Sequence, residues 1–208
     1  MKRIATLVLG VVTVGVALTG CSAPAVGENE DAPVVAESSA PIVTEEAIVQ
    51  EGTRETPIPF GGSATVQELG EAGGDAWTVS IAQPYDVSQV ILDEAKELFG
   101  DDESYLASYR PPEGQIYLGV PLSITRLLDI PEDPFFALTV EFVTSDGRTV
   151  QKSNQYSRAN PPLMDVGEMY APATAAATEV FLVPAGTTGQ VLLTESNSGA
   201  RFYFGETP

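Results

Sequence analysis

Histidine is absent from the 208 residues, and cysteine occurs once, at Cys21. Without an imidazole there is no Ser-His-Asp or Cys-His machinery, no His-ligated zinc, and no ordinary general base near neutral pH. A single cysteine excludes an intramolecular disulfide. Bases are scarce as well: 10 Lys and Arg stand against 29 Asp and Glu, a formal net charge of −19. Such a surface repels nucleic acid and anionic lipid, so no nucleic-acid partner is expected. Capture of cations or basic ligands is the functional alternative to a merely solvated acidic surface. A Gly-x-Ser-x-Gly elbow, a phosphate-cradling glycine loop and a cluster of metal ligands are also missing. No catalytic residue, metal or cofactor is therefore expected.

What is present begins at the first residues. Lys2 and Arg3 are followed by an uncharged run over 4–20, rich in Val, Leu, Ala, Thr and Gly. A basic start, an apolar run and small residues are the layout of a secretory signal peptide. Leu18-Thr19-Gly20-Cys21 then resembles the bacterial lipobox, a branched apolar residue and two small residues before an obligatory cysteine. That resemblance implies cleavage between Gly20 and Cys21 and diacylglyceryl and palmitoyl-type acylation of Cys21. An uncleaved membrane span and a plain secretory signal are the alternatives. Both leave the lone thiol exposed outside the cell without a use. Two or three acyl chains on one residue hold a protein stably on a membrane, whereas one does so only marginally. The expected location is the extracytoplasmic face of the cell membrane. Removing Lys2 and Arg3 leaves 8 bases against 29 acids, a formal charge of −21 for the processed chain.

The chain divides into a signal peptide over 1–20, a lipidated cysteine and tether over 21–59, and a folded domain over 60–208. Between Ser22 and Pro59 there is no aromatic residue, and eight acids face one base, Arg54. With no core-forming period and strong self-repulsion, this stretch is expected to be disordered. As a coil it spans roughly 35 Å, lengthened by its prolines and charge.

From Phe60 onward the pattern changes to short alternating segments punctuated by Gly and Pro, as in an all-β sandwich or barrel. Trp77, Val79 and Ile81 share one strand face; Ile116, Leu118, Val120, Leu122 and Ile124 share another. Phe136, Leu138, Val140 and Phe142 form a third. Further strands are expected near 64–69, 149–153, 173–183, 190–194 and 201–204. Ser145-Asp146-Gly147-Arg148 reads as a tight type I′ hairpin. Pro121 cannot donate a ladder hydrogen bond, which places its strand at an edge or on a bulge. One helix interrupts the strands: Val87, Val90, Ile91, Ala95 and Leu98 recur at helical spacing, Asp86 can cap the start and Gly100 can end it. Its apolar stripe is expected to close one end or edge of the sandwich.

The order Pro-Ile-Pro-Phe-Gly at 57–61, Trp-Thr-Val-Ser-Ile at 77–81, Pro-Pro-Glu-Gly at 111–114, Ser-Asp-Gly-Arg at 145–148 and Phe-Leu-Val-Pro at 181–184 resembles immunoglobulin-like lipoprotein domains of actinobacteria grouped with the immunoprotective extracellular proteins. The resemblance spans most of 57–204. It implies an immunoglobulin-like β-sandwich with one short helix and no established activity. Many relatives carry a cysteine pair in the later strands; this chain lacks it, and with it one stabilising crosslink.

Two loops invite a ligand. Asp101, Asp102 and Glu103, and then Asp129, Glu132 and Asp133, offer oxygens for calcium, but the Asp-x-Asp-x-Asp-Gly order is missing, which favours solvated acids. The 100–114 segment carries Tyr105, Tyr109 and Arg110 before Pro111-Pro112. Tyrosine and arginine on a loop suit a sugar- or peptide-binding patch; tyrosines packed back as a lid are the alternative. Three functions remain: an interaction module for an envelope protein or wall polymer, an accessory lipoprotein without a ligand, and a carboxylate-based wall-glycan hydrolase. The missing histidine disfavours the last.

The lipobox generates a direct expectation. Cells fed a fatty-acid analogue incorporate label into the wild type and not into Cys21→Ala, and equal labelling of both would refute the anchor.

Overall fold

The computed structural model describes residues 52–68 and 74–207. The signal segment, Cys21 and the spacer up to residue 51 lie outside the described residues. Among the described residues, nine strands form two antiparallel sheets. The first contains β1 (Ser63–Glu68), β2 (Gly74–Ile81), β3 (Tyr85–Asp86), β4 (Gln115–Arg126) and β7 (Thr174–Pro184). The second runs β6 (Thr149–Val150), β5 (Leu138–Thr144), β8 (Gly189–Glu195), β9 (Arg201–Phe204). Three helices intervene: α1 (Ser88–Phe99), α2 (Glu103–Leu106) and α3 (Pro134–Ala137). This is the all-β sandwich that the alternation announces.

The core forms where the inner faces meet. Val66, Trp77, Val79, Ile81, Val120, Leu122, Ile124 and Phe181 from the first sheet pack with Leu138, Val140, Phe142, Val191, Leu193 and Phe204 from the second. Every second residue of β4, from Leu118 to Ile124, is buried there, as a period of two requires of a strand with one face inward. Phe136 departs from its expected strand. Pro134 sits in the first turn of α3 and the Asp133 side chain accepts from Phe135 N at 2.9 Å, so a capped helical turn replaces the strand start. Phe136 is left 72% exposed.

Strand β4 is central, contrary to the expectation drawn from Pro121. It pairs with β7 over 115–125, and on its other side with β2 over 122–126 and β3 over 118–119. The Pro121 carbonyl accepts from Ala82 N at 3.0 Å. In antiparallel pairing the N and O of one residue face the same neighbour. The proline nitrogen therefore faces the gap between β2 and β3, where no ladder bond is needed.

Helix α1 lies on the outer face of the first sheet instead of closing an end or edge. Val87 and Ile91 pack on Tyr117 and Val180, residues of β4 and β7 that alternate with the core set. Val87, Ile91 and Ala95 are buried, an i, i+4 stripe, while Val90 and Leu98 of the expected stripe are exposed. Two backbone ties fix the helix start on β4: Val87 N donates to Tyr117 O at 2.8 Å, and the Ser88 hydroxyl accepts from Tyr117 N at 2.9 Å. The Asp86 carboxylate accepts from Ser88 N at 2.8 Å, and Gly100 ends the helix. Gly119 lets helix and sheet approach, since a Cβ there would lie 2.6 Å from Val87 Cγ1.

Two boundaries also differ. Residues 52–59, assigned above to the tether, belong to the domain. Ile58 is 7% exposed, bridges Phe204 in parallel, and donates to Tyr203 O at 2.8 Å. The 145–148 turn is a three-residue loop and not the type I′ turn. Gly147 N donates to Thr144 O at 2.8 Å, Thr144 N donates to Arg148 O at 2.9 Å, and Gly147 alone takes the left-handed conformation at φ 86° among the described glycines of that turn. This is the turn-plus-bulge arrangement of longer hairpins.

Buried polar groups hold the loops. Arg126, 1% exposed, stacks 4.5 Å from the Trp77 ring centroid, pairs with Glu132 at 2.8 Å, and donates to Ile130 O at 3.1 Å. Glu179 points toward the core side of β7, where Lys152 reaches it at 2.9 Å and Leu163 N donates at 3.2 Å. On α1, Glu94 accepts from the Ser157 hydroxyl at 2.8 Å, Arg158 N at 2.7 Å and Ala159 N at 3.2 Å. Glu195, 1% exposed, accepts from Asn197 N at 3.0 Å and from Ser198 N.

Two expectations follow from this packing. Gly119→Ala forces the β4–α1 contact apart and costs about 1–3 kcal/mol; adding Val87→Ala, which removes the clashing methyls, restores part of that loss in denaturant unfolding. The second concerns acid. Burial raises the carboxyl pKa of Glu94 and of Glu195, but the donated hydrogen bonds outweigh it, so both end below the ordinary glutamate value of 4.5. A depressed folded pKa means the unfolded chain binds the proton first. Each carboxylate's contribution is complete above that ordinary value and is lost as pH falls below it toward the folded pKa. The gap in unfolding midpoint between wild type and Glu195→Gln therefore narrows from about pH 6 to about pH 3; a constant gap would contradict the assignment.

Candidate functional site

The 100–114 segment is a built corner and not an open loop. After Gly100, the Asp102 carboxylate accepts from Ser104 N at 2.9 Å and from the Ser104 hydroxyl at 2.7 Å, capping α2. Leu106, 1% exposed, anchors that turn. A 3₁₀ turn over Ala107–Tyr109 continues it. Such an apolar peg is what a connection of this length needs to stay ordered.

The corner brings Tyr105 and Tyr109 together around a residue that sequence reasoning missed, while Arg110 turns to Glu103. Phe99, the last residue of α1, stacks on Tyr105 with centroids 5.5 Å apart and rings 11° from parallel. Its other neighbour is Tyr109, at 5.7 Å and tilted 33°. Offset and tilted aromatic pairs of this kind add about 0.5–1.5 kcal/mol beyond the area they bury. The signal for Phe99 was its position, an aromatic at the end of the helical stripe just before the capping glycine. Periodicity says nothing about which way the last residue of a helix points.

The three expected residues divide in role. Tyr109 turns inward against the Val87, Ile91, Tyr117 and Val180 cluster under α1. Tyr105 remains 56% exposed and Phe99 41% exposed. Arg110 grips Glu103 with both terminal nitrogens, Nη2 at 2.9 Å from Oε1. The Arg110 hydrogen bond holds the Glu103 carboxyl below the usual carboxylate range, and the same bond raises the guanidinium. The fork is exposed, so it orients the corner more than it stabilises the fold. Tyr109 thus packs under α1, while Tyr105 and Phe99 form an exposed aromatic pair at the end of the helix.

Four of the six acids considered for calcium have other occupations. Asp102 and Asp133 cap helices, Glu103 is paired with Arg110, and Glu132 with Arg126. Among the described residues, no three acidic side chains gather in a metal-binding group.

A cleft of about 460 Å³ opens between the sheets at the end where β5 stops and β8 begins. Phe60, Leu118, Phe142, Thr144, Thr188 and Gln190 are among the residues that line it. Its lining includes one carboxylate, Glu206, whereas glycoside hydrolysis by carboxylates uses two flanking the bond.

No protein-family model matches this chain, and no curated protein matches it. Several solved structures are similar. The secreted protein MPT63 of Mycobacterium tuberculosis is 10% identical, with 72% of this chain and 98% of that one covered and a TM-score of 0.45. An uncharacterised β-sandwich protein of Clostridium difficile 630 is also 10% identical, with 72% and 94% covered and a TM-score of 0.39. A candidate lipoprotein of Bacillus subtilis is 12% identical at a TM-score of 0.43, with 68% of this chain and 37% of that one covered. At these identities and scores the likeness reaches no further than the β-sandwich.

Proposed function

We propose that this chain is a lipid-anchored extracytoplasmic protein that holds a non-catalytic β-sandwich off a bacterial membrane as an interaction module. The lipobox at Leu18-Thr19-Gly20-Cys21 and the acidic spacer support the anchored display. One observation carries the module: Tyr105 and Phe99 are stacked on a capped, pegged corner, yet both remain largely in water. Half-exposed rings contribute little to folding, whereas a rigid aromatic face loses little conformational entropy on binding. Aromatic and arginine side chains are also the residues that dominate contact energies. An envelope protein or wall polymer is the partner class that such a display meets first.

Crosslinking in the native envelope, followed by recovery of what is captured, tests this directly. Tyr105→Ala weakens capture by about 1–3 kcal/mol while lowering the unfolding free energy by no more than the roughly 0.5–1.5 kcal/mol of its stack on Phe99. Tyr109→Ala, by contrast, lowers stability through lost packing. Undiminished capture by Tyr105→Ala would remove the corner from the function.

A further inference from the structure

The end of the sandwich that holds Arg126 carries a second surface, independent of the corner and of the anchor. Six large apolar side chains stand exposed there: Leu127, Ile130, Phe135, Phe136, Met164 and Tyr170, between 39% and 72%. The backbone brings their three segments side by side. Glu132 and Met169 exchange hydrogen bonds at 3.2 and 2.9 Å, Ala171 N donates to Leu128 O at 3.2 Å, and α3 packs on the 3₁₀ turn Leu163–Asp165. The rings of Phe135 and Phe136 meet edge to face, 5.2 Å apart. Apolar side chains gathered at one end of a soluble domain mark a contact site far more often than the same residues scattered singly.

The support beneath this end is rigid. The buried Arg126 guanidinium holds Ile130 O through both Nε and Nη2 at 3.1 Å, reaches Ala76 O at 3.4 Å, and pairs with Glu132. A loop pinned on three of these contacts keeps its side chains presented without a partner, which lowers the entropic cost of docking one.

Charge selects the occupant. Across 127–136 and 164–171 there are five carboxylates, Asp129, Glu132, Asp133, Asp165 and Glu168, and no lysine or arginine. Glu132 is turned to Arg126, which leaves the other four around the apolar side chains. A second copy would set the same acids against each other, and like charges across an interface cost several kcal/mol. An anionic membrane is repelled for the same reason, more so by a chain of net charge −19. What fits is the reverse pattern. We infer that this end docks a cationic amphipathic segment of another protein, its apolar face on Phe135, Phe136, Ile130 and Met164 and its flanking lysines or arginines against Asp129, Asp165 and Glu168.

The test uses the processed chain beginning at residue 21 and carrying Cys21→Ser, so that neither the apolar signal segment nor an acyl chain competes for the apolar face. The probe is a fluorescent helical peptide of about 14 Leu and Lys residues, followed by anisotropy at low and at physiological salt. Binding that weakens with salt is expected. It should fall about tenfold in Phe135→Ser/Phe136→Ser, which keeps every charge. Asp129→Asn/Asp165→Asn/Glu168→Gln should also weaken it, while Asp93→Asn/Glu97→Gln on α1 should not. Unfolding midpoints accompany each variant; if the phenylalanine pair alters folding, Ile130→Ser/Met164→Ser replaces it. A Lys-Gly peptide of equal charge is expected not to compete. Equal binding by the phenylalanine variant, by a Leu-Glu peptide or by the Lys-Gly peptide would overturn the proposal. So would attachment to neutral phosphatidylcholine vesicles, or self-association in sedimentation, lost through the same phenylalanine change.

Discussion

Burial of β4 on both faces over Tyr117–Val120 is the constraint from which the rest of the molecule follows. Its inner face supplies Leu118, Val120, Leu122 and Ile124 to the sandwich core, and its outer face presents Tyr117 and Gly119 to α1. Because β7 pairs along its whole length on one side, the other side must be shared by β2 and β3, with the break between them at Pro121. The strand that leaves β3 is thereby delivered onto the outer face, where α1 begins. The corner of Phe99 and Tyr105 stands at the far end of that helix, so its position too descends from β4.

A domain without cysteine needs another way to hold its loops. Here buried charged groups take that role. Arg126 pins the segment after β4, Glu179 receives Lys152 and Leu163 N, half-buried Glu94 collects the Ser157 hydroxyl and the Arg158 and Ala159 amides, and Glu195 organises the turn before β9. Each is satisfied by several partners, as burial of a charge requires. Gln190 does the same for the domain's two edges in sequence, donating to Arg54 O and Glu206 O at 3.0 Å. The consequence for function is that loops at both ends of the sandwich are presented in fixed shapes, which suits recognition surfaces better than adaptive ones.

The strands were legible because a sheet with one buried face writes its geometry into alternation. The Trp77 strand, the β4 face and the hairpin of β8 and β9 stand where the pattern places them. Misplacements came where a local rule had more than one tertiary solution. Pro121 argues for an edge only if its nitrogen must meet a neighbouring strand, and the gap between β2 and β3 removes that need. Phe136 fits an alternating run and equally a turn capped by Asp133. Val90 and Leu98 lie within the helical period but outside the narrow stripe that a flat sheet face accepts. Residues 52–59 look like tether because proline and charge dominate them, yet Ile58 finds a parallel partner in Phe204, which no local pattern announces.

The sequence by itself determined the acidic excess, the all-β class and most strand positions. These depend on residue type and on periods of a few residues. Only the tertiary structure decided that α1 covers the outer face, that Tyr105 and Tyr109 part around Phe99, and that apolar residues from 127–136 and 164–171 share one end. Those outcomes join segments tens of residues apart. The hydrogen bonds and packing that join them are made by whichever surfaces the sheets leave open, and periodicity along one strand does not encode that choice.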